Sequence, residues 1–243
     1  MGKKLLLLFL LVTFSAQSQV KIEQNDLFSE AIRLNVKKYT RNSQMAYAYR
    51  DFERAEFLYD SLINNVIKGS YLDNFEVRKL SGRKIELYKF KKPTFLITYS
   101  SWCVPAEGEI PSLNRIAKKY SKQVDFVVLF WDNRTNAKKA SRKYSRKVNI
   151  VYVDETENTN NHIVERMKHS LGLPTSFLID KEKRIKAVGR GATQVYTQDS
   201  QISPQESIYK YFLNGVSTLT TLKDEDRVLL NSLESSGILG QSD

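Results

Sequence analysis

The sequence is poor in the residues that build disulfide, metal and phosphate sites. Its 243 residues include one cysteine, two histidines and ten glycines. A single cysteine excludes an internal disulfide, so the thiol lies in the core, pairs with another molecule or performs chemistry. His162 and His169 share one predicted helix and would need further ligands to hold a metal, so we expect them to face solvent and expect no metal site. The glycines are scattered and form no phosphate-binding loop.

Long apolar runs are also scarce, and the run near the start of the chain is typical of a secretion signal. Lys3 and Lys4 precede apolar residues from Leu5 to Val12, and Ala16 lies before a suitable cleavage site. The run is too short to span a bilayer. We therefore expect residues 1–18 to be a signal peptide, the mature chain to lack a transmembrane segment, and the product to be periplasmic.

Basic residues are in excess over acidic ones. The formal net charge is +11, and it is +9 once residues 1–18, with two lysines and no acid, are removed. Such a surface could attract nucleic acid, anionic lipid or acidic proteins, and export makes nucleic acid the least expected partner. Seven of the basic residues lie on one predicted helix, 134–147. A helix that covers a sheet normally exposes one polar face, so we expect this stripe to be solvated rather than lipid-bound.

Residues 19–72 are predicted to form an N-terminal helical extension. Apolar residues recur at three- and four-residue steps over 25–38 and again over 44–68, where Gly69 ends the pattern. Five aromatic residues lie in or beside the second stretch: Tyr47, Tyr49, Phe52, Phe57 and Tyr59. They could form a docking face, but such stripes are usually buried, and we expect them to pack in the core.

Residues 73–216 are predicted to form one α/β domain. Dense apolar, β-branched runs alternate with helical patterns, and the last two strands form an antiparallel pair, which indicates a mixed sheet sandwiched by helices. The predicted strands are 75–77, 84–87, 93–100, 124–132, 149–154, 175–180 and 184–189, and the predicted helices are 105–120, 134–147, 158–171 and 204–216. Residues 217–243 form a C-terminal tail with a short amphipathic segment whose purpose the pattern does not indicate.

The cysteine lies in the stretch SWCVPAEGEIP. Trp102, Cys103 and Pro105, followed by Glu109 and Pro111, resemble the active-site motif of the thioredoxin superfamily, in particular its exported TlpA-like disulfide reductases. Further along, the stretch GLPTSFLID resembles the segment of that family that carries its cis-proline. The resemblance covers residues 75–215 and implies a thioredoxin-like fold, thiol-disulfide exchange and no cofactor.

The local pattern around the cysteine favours a reactive thiol. A strand that delivers Cys103 to the first turn of a helix would place its sulfur beside unpaired N–H groups and the positive end of the helix dipole, which favours the thiolate. Pro105 suits such a first turn because it has no N–H to leave unpaired. A thiolate is the form that attacks disulfides.

The resemblance also implies roles for other residues. It implies that Pro174 follows a cis peptide bond and that Leu173 and Thr175, with Trp102 and Pro105, bind an extended segment of a partner protein. Glu109 would assist proton movement at the cysteine. The alternative for Glu109 is an acid favoured by the helix dipole alone.

The main departure from the family pattern is Ala106, which stands where a dithiol site has its second cysteine. A mixed disulfide formed at Cys103 therefore has no resolving thiol within the chain. Glu107 replaces a basic residue common after the motif, and its carboxylate would raise the pKa of Cys103.

Three interpretations follow for the cysteine. Cys103 acts as a monothiol whose mixed disulfide an external thiol resolves, it is oxidised by peroxide to a sulfenic acid, or the site is a redox-inactive remnant that only binds extended segments of partners. We favour the monothiol, catalytic through Cys103 and Glu109. Its partners would be thiols or disulfides of exported proteins, or a reductant that supplies the resolving thiol.

Overall fold

The computed structural model describes residues 26–157, 161–191 and 203–238. Seven helices and seven strands lie within these ranges. The helices are α1 (Phe28–Ala48), α2 (Phe52–Leu62), α3 (Glu109–Tyr120), α4 (Arg134–Ala140), α5 (Asn161–Val164), α6 (Pro204–Leu219) and α7 (Asp224–Ile238), and the strands are β1 (Glu76–Lys79), β2 (Lys84–Glu86), β3 (Thr94–Tyr99), β4 (Asp125–Trp131), β5 (Val148–Val153), β6 (Thr175–Ile179) and β7 (Ile185–Gly189).

The strands form one mixed sheet in the order β2-β1-β5-β4-β3-β6-β7. The central strands β3, β4 and β5 are parallel, and β6, β7 and the β1–β2 hairpin pair antiparallel with their neighbours. Helices cover both faces, and the expected α/β sandwich with a thioredoxin-like mixed sheet and N-terminal helices is confirmed.

Alternating side chains of the central strands build two cores, one on each face of the sheet. Leu96 of β3 belongs to the core under α1, α2 and α5, whereas Phe95 and Ile97 belong to the core under α3, α4 and α6. All six residues of β3 are buried. A strand buried on both faces needs the continuous apolar run that predicted it.

The N-terminal helices differ from the prediction in their division. α1 continues through residues 39–43, which were expected to separate two helices, because this stretch contains neither glycine nor proline and its Ser43 is buried against the core. The chain reverses only after Tyr49, at Arg50 with φ of 57°. α2 then passes into a short π-helix, Ile63–Ile67, before Gly69.

The expectation that the aromatic residues of this region pack in the core is wrong for four of them. Tyr59 is buried, but Tyr47, Tyr49, Phe52 and Phe57 are exposed. The reason is their position, because Tyr59 lies on the face of α2 that also carries Ala55 and Leu62 to the core, whereas Phe57 points to the opposite side.

The predicted C-terminal tail contains a helix that packs back onto the domain. On α7, Asp226 is buried and accepts hydrogen bonds from Lys119 Nζ at 2.7 Å and from the Tyr120 hydroxyl at 2.6 Å. Leu230 of the same helix joins the core beneath α3 and α6. The amphipathic segment therefore covers the outer end of α3.

Within the described ranges, no helix is long and apolar enough to cross a membrane. Residues 1–18, the predicted signal peptide, lie outside these ranges, so that expectation stays a prediction.

Candidate functional site

Cys103 lies in the turn that connects β3 to α3. Its backbone N–H donates to the Ser100 carbonyl at 2.9 Å, and the Ser100 N–H donates to Cys103 Sγ at 3.4 Å. The Ser101 N–H donates to Asp132 Oδ2 at 3.0 Å, at the end of the neighbouring strand β4. These bonds tie the turn to the ends of two central strands, so the sulfur has a defined position.

The expectation that Cys103 occupies the first turn of a helix is wrong. α3 begins at Glu109, after Gly108 with φ of 82°, a left-handed conformation that favours glycine. The positive end of the α3 dipole therefore lies six residues further along the chain than Cys103, and not at the cysteine itself. Pro105 likewise lies in the loop before α3 and not in the helix.

The electrostatic surroundings of Cys103 favour the thiol over the thiolate. Partial burial raises the pKa of Cys103 above its ordinary value, and the Glu109 carboxylate adds to this rise. The hydrogen bond from the Ser100 N–H and the positive charge of Lys168 oppose it without cancelling it. Glu109, which the sequence did not single out as an influence on the thiol, is therefore one of the charges that set the pKa of Cys103. The expected effect of Glu107 stays a prediction.

Glu109, the predicted proton carrier, is the first residue of α3 and is buried, 2% exposed. One carboxylate oxygen accepts a hydrogen bond from the Tyr99 hydroxyl, and the other accepts one from the Ala106 N–H at 2.9 Å. Burial raises the pKa of Glu109, and these two hydrogen bonds oppose the rise without cancelling it. The carboxyl group therefore lies beneath the Cys103 turn and can hold a proton at higher pH than an exposed glutamate.

The two neighbours of Cys103 in the chain project into solvent. Trp102 is 70% exposed and Val104 is 85% exposed, whereas Cys103 and Ala106 are partly buried against the core beneath α3. Exposed apolar side chains on both sides of a partly exposed thiol provide a contact surface for another molecule.

The Leu173–Pro174 peptide bond is cis, as predicted. Thr175 pairs with Thr98 in the antiparallel register of β6 and β3, so Pro174 lies beside the end of β3, from which the Cys103 turn departs. The sheet therefore brings the two predicted halves of the site to one edge.

The side chains next to Pro174 are engaged within the protein. The Thr175 hydroxyl donates to the Gly172 carbonyl at 2.7 Å and its side chain is buried, so any contact with a partner must come from its backbone. Leu173 packs against the core under α1. Gly191 lies close to the Pro174 ring, where an added Cβ would come within 2.8 Å of Pro174 Cγ.

Three residues of the site were not identified from the sequence. Tyr99 binds Glu109, Asp132 holds the Cys103 turn, and Lys168, ion-paired with Glu155, contributes positive charge at the sulfur. Tyr99 and Asp132 each occupy the end of a predicted parallel strand, and that position was the available signal, since such ends meet at one edge of the sheet.

Among the residues that the structure describes, no group of His, Cys, Asp and Glu could hold a metal ion. His169 is exposed. The side chain of His162 lies outside the described part, so its expected exposure stays a prediction.

Comparisons with solved structures return thioredoxin-like domains of low identity. One is the thioredoxin domain of a thiol-disulfide oxidoreductase from Bacteroides vulgatus, with 18% identity and a TM-score of 0.48 over 63% of this chain and 98% of that one. Another is a thio-disulfide isomerase from Thermus thermophilus, with 21% identity and a TM-score of 0.44 over 62% of this chain and 97% of that one.

Sequence comparisons are more specific. The AhpC/TSA family model matches residues 69–188. The thiol-disulfide oxidoreductase ResA of Bacillus thuringiensis is 36% identical over 120 residues, which is 48% of this chain and 66% of that protein. ResA of Geobacillus thermodenitrificans is 30% identical over 130 residues, 52% of this chain and 71% of that protein. The AhpC/TSA match covers just under half of the chain. The relative from Geobacillus thermodenitrificans shows that the chain belongs to the family of thiol-disulfide oxidoreductase ResA.

Proposed function

We propose that this protein is an exported, TlpA-like monothiol that takes part in thiol-disulfide exchange through Cys103 and depends on a thiol from outside the chain. The observation that carries the proposal is a partly exposed thiol between two exposed apolar side chains, in a chain of this family. The N-terminal pattern of Lys3, Lys4 and the apolar run supports export and a periplasmic location.

The proposed exchange begins with a partner disulfide. The Cys103 thiolate attacks one sulfur of that bond, a Cys103-partner disulfide forms, and the second partner sulfur leaves as a thiolate that takes up a proton. An external thiolate then attacks the Cys103 sulfur and releases the first partner sulfur as a thiol. A second external thiol frees Cys103, so the partner gains two electrons and two protons while two external thiols become one disulfide.

Ala106 supports this dependence on an external thiol. It stands at the third position after Cys103, where a dithiol site has its resolving cysteine, and the sequence contains no second sulfur of that kind. Where a partner supplies its own second thiol instead, the same chemistry rearranges the partner's disulfides without net reduction.

We propose Glu109 as the group that carries the proton between Cys103 and solvent. Its raised pKa suits proton transfer near neutral pH better than that of an exposed carboxylate, and its charge is among those that act on the thiol. Trp102 and Pro105, with the backbone of Leu173, Pro174 and Thr175, form the proposed binding edge for an extended partner segment.

The first test measures capture of a disulfide. The purified protein is incubated with a small aromatic disulfide whose leaving thiolate absorbs light, and the adduct at Cys103 is identified by mass spectrometry. We expect one equivalent of thiolate and a rate that rises with pH, because the raised pKa of Cys103 keeps most of the sulfur protonated at neutral pH. The Cys103→Ser variant should release none. A folded protein that forms no adduct would instead act by binding alone.

The second test restores the missing sulfur. In an Ala106→Cys variant the mixed disulfide has a resolving thiol three residues away, so the pre-reduced variant should reduce one protein disulfide per molecule and end with a 103–106 disulfide. The pre-reduced parent protein should stop at the mixed disulfide until an excess of small thiol is added. Full single-turnover reduction by the parent protein without added thiol contradicts the proposal.

A further inference from the structure

The hairpin of α1 and α2 presents a face to solvent that is unusually apolar for a surface. Leu34 and Met45 on α1 are 63% and 54% exposed, and Phe57 on α2 is 69% exposed. At 100° per residue these side chains lie opposite the buried residues of their own helices. We call this surface the outer face, and its residues are Leu34, Lys38, Arg41, Met45, Glu53, Phe57 and Asp60.

The two helices of the outer face carry opposite charge. Residues 31–50 contain five basic residues and no acid. α2 with its N-cap Asp51 carries four acids and one base, Arg54. Within the described ranges, no ion pair involves Lys37, Lys38 or Arg41. A basic stripe with apolar side chains therefore runs beside an acidic stripe with apolar side chains.

This pattern argues against a flat anionic surface as the occupant. A lipid surface would attract α1 but would repel the carboxylates of α2 beside it, and the two effects would largely offset each other. An occupant that matches both stripes must itself present an acidic helix next to a basic one.

We propose that the occupant is a second copy of this chain, related by a twofold axis that runs parallel to α1 and α2 and between them. That operation places the basic α1 of one copy over the acidic α2 of the other, twice, and brings the exposed apolar side chains together. A twofold axis perpendicular to the helices would instead place α1 over α1 and α2 over α2, with like charges opposed. The charge pattern therefore selects the antiparallel four-helix arrangement.

The dimensions of the outer face suit a modest interface. α1 is 21 residues long, which corresponds to about 30 Å, and α2 is 11 residues long, about 16 Å; each helix is about 10 Å wide. Pairing two such faces would bury on the order of 900 Å² in total, which is the size of a weak or transient interface. We therefore expect a dimer that dissociates on dilution and weakens in high salt.

The aromatic end of the hairpin supports the same axis. Tyr47 and Phe52 already contact each other edge to face, with ring centroids 6.2 Å apart, and Tyr49 beside them is 81% exposed. An axis parallel to the helices brings the two hairpin ends to the same end of the dimer. Their exposed rings would then cover one another.

The test measures oligomeric state by sedimentation velocity over a wide concentration range. It uses a Cys103→Ser background, so that an intermolecular disulfide cannot mimic the interface and the outcome is independent of the proposed thiol chemistry. We expect a concentration-dependent dimer, and we expect Phe57→Lys to weaken it at least tenfold. The matched control is Val228→Lys, at an exposed apolar residue of α7 outside the outer face. A parent protein that stays monomeric to its solubility limit, or a dimer that Phe57→Lys leaves intact, overturns the proposal.

Charge exchange tests the relative orientation. One variant reverses α1 (Lys38→Glu with Arg41→Glu), and another reverses α2 (Glu53→Lys with Asp60→Lys). Each alone should be monomeric, because its two helices then carry the same sign. An equimolar mixture should form heterodimers, and a chain with all four substitutions, whose net charge equals that of the parent, should dimerise again. Circular dichroism confirms folding of each variant, and failure of the fourfold variant to dimerise while folded overturns the proposed axis.

Discussion

The two ends of α3 each carry a buried carboxylate, and the two are held in different ways. Glu109 at the first residue of the helix and Asp226, which α7 brings to its last turn, are both 2% exposed. Glu109 accepts from the Tyr99 hydroxyl and the Ala106 N–H, whereas Asp226 accepts from the ammonium group of Lys119 and from the Tyr120 hydroxyl. In the described part of the chain, no ion pair reaches Glu109.

This difference in partners sets the charge of each group. Burial acts to raise the pKa of Asp226, but the hydrogen bonds from Lys119 and Tyr120 outweigh it and hold the pKa below its ordinary value. The pKa of Glu109 is raised because neutral donors do not compensate for burial. Two carboxylates with the same small solvent exposure therefore behave differently: Asp226 stays charged at one end of α3, and Glu109 can exchange a proton at the other.

The two carboxylates contribute to stability with opposite dependence on pH. The contribution of Asp226 is present above the unfolded pKa of about 3.9 and is lost as pH falls through the lower pKa of the folded state. For Glu109 the folded pKa lies above the unfolded value of about 4.3, so its contribution is present below that value and is lost as pH rises through the folded pKa.

The largest loss in stability is expected at Asp226, beside the last turn of α3. Lys119→Met leaves the Asp226 carboxylate buried without its cation, and we expect a loss of about 3 kcal/mol in the free energy of unfolding, measured by urea denaturation at pH 7. Lys118→Met removes an exposed lysine from the same helix and should change stability by less than about 0.5 kcal/mol. Equal losses from the two substitutions would mean that Asp226 does not depend on the ammonium group.

A smaller loss in stability is expected at Glu109. Tyr99→Phe removes a hydroxyl that donates to Glu109, and we expect a loss of about 2 kcal/mol at pH 7, since a hydrogen bond to a charged group is among the stronger ones. The loss should shrink in acid, where the carboxyl group is neutral and can donate a proton itself. Tyr47→Phe, which removes an exposed hydroxyl, serves as the control. A loss that is the same at both pH values contradicts the assignment of charge.

Protonation of Glu109 can be detected as a slope in the free energy of unfolding plotted against pH. In the window above pH 4.3, the free energy of unfolding of the parent protein should fall with rising pH by up to about 1.4 kcal/mol per unit from this one group. Glu109→Gln should remove that part of the slope, because an amide does not titrate. Glu107→Gln, on the exposed side of the same loop, should leave it in place. Superimposable profiles of the parent and Glu109→Gln proteins would place the pKa of Glu109 at its unfolded value.

The smallest effect concerns the Cys103 thiol. Lys168 lowers the pKa of Cys103 and Glu109 raises it, so Lys168→Met should move the midpoint of alkylation to higher pH and Glu109→Gln to lower pH. We expect the labelling rate at pH 7 to fall by about twofold for Lys168→Met, because a partly solvated charge acts weakly. Lys181→Met, far out on the β6–β7 turn, should leave the rate unchanged. Shifts of the same sign for both site variants would contradict the opposed roles of the two charges.

Much of this site can be predicted from the sequence because buried strands are recognised from short local runs of apolar residues. The buried runs that became β3 and β6 placed Cys103 and Pro174 beside strand ends, and the position of Asp132 at the end of β4 was available in the same pattern. Pairing of neighbouring strands then brings their ends to one edge of the sheet. This can be anticipated from the strand assignments alone.

The parts that were not predicted depend on contacts between distant residues. α3 begins at Glu109, after the left-handed Gly108, and the buried Glu109 carboxylate accepts hydrogen bonds from the Ala106 N–H and the Tyr99 hydroxyl. A helical pattern does not record these contacts. The role of α7 depends on Asp226 meeting Lys119, 107 residues away in the chain. The exposure of Phe57 depends on which face of α2 the core accepts, and that is decided by packing.

The chain has two tryptophans, and the fold gives them opposite surroundings. Trp131 is buried at the end of β4, stacked on Phe75, whereas Trp102 stands in solvent beside the thiol. Their fluorescence should therefore separate into a short-wavelength component shielded from iodide and a long-wavelength component that iodide quenches. A molecule that covers Cys103 would protect the second component alone, so the protein carries its own unlabelled optical reporter of occupancy at this site.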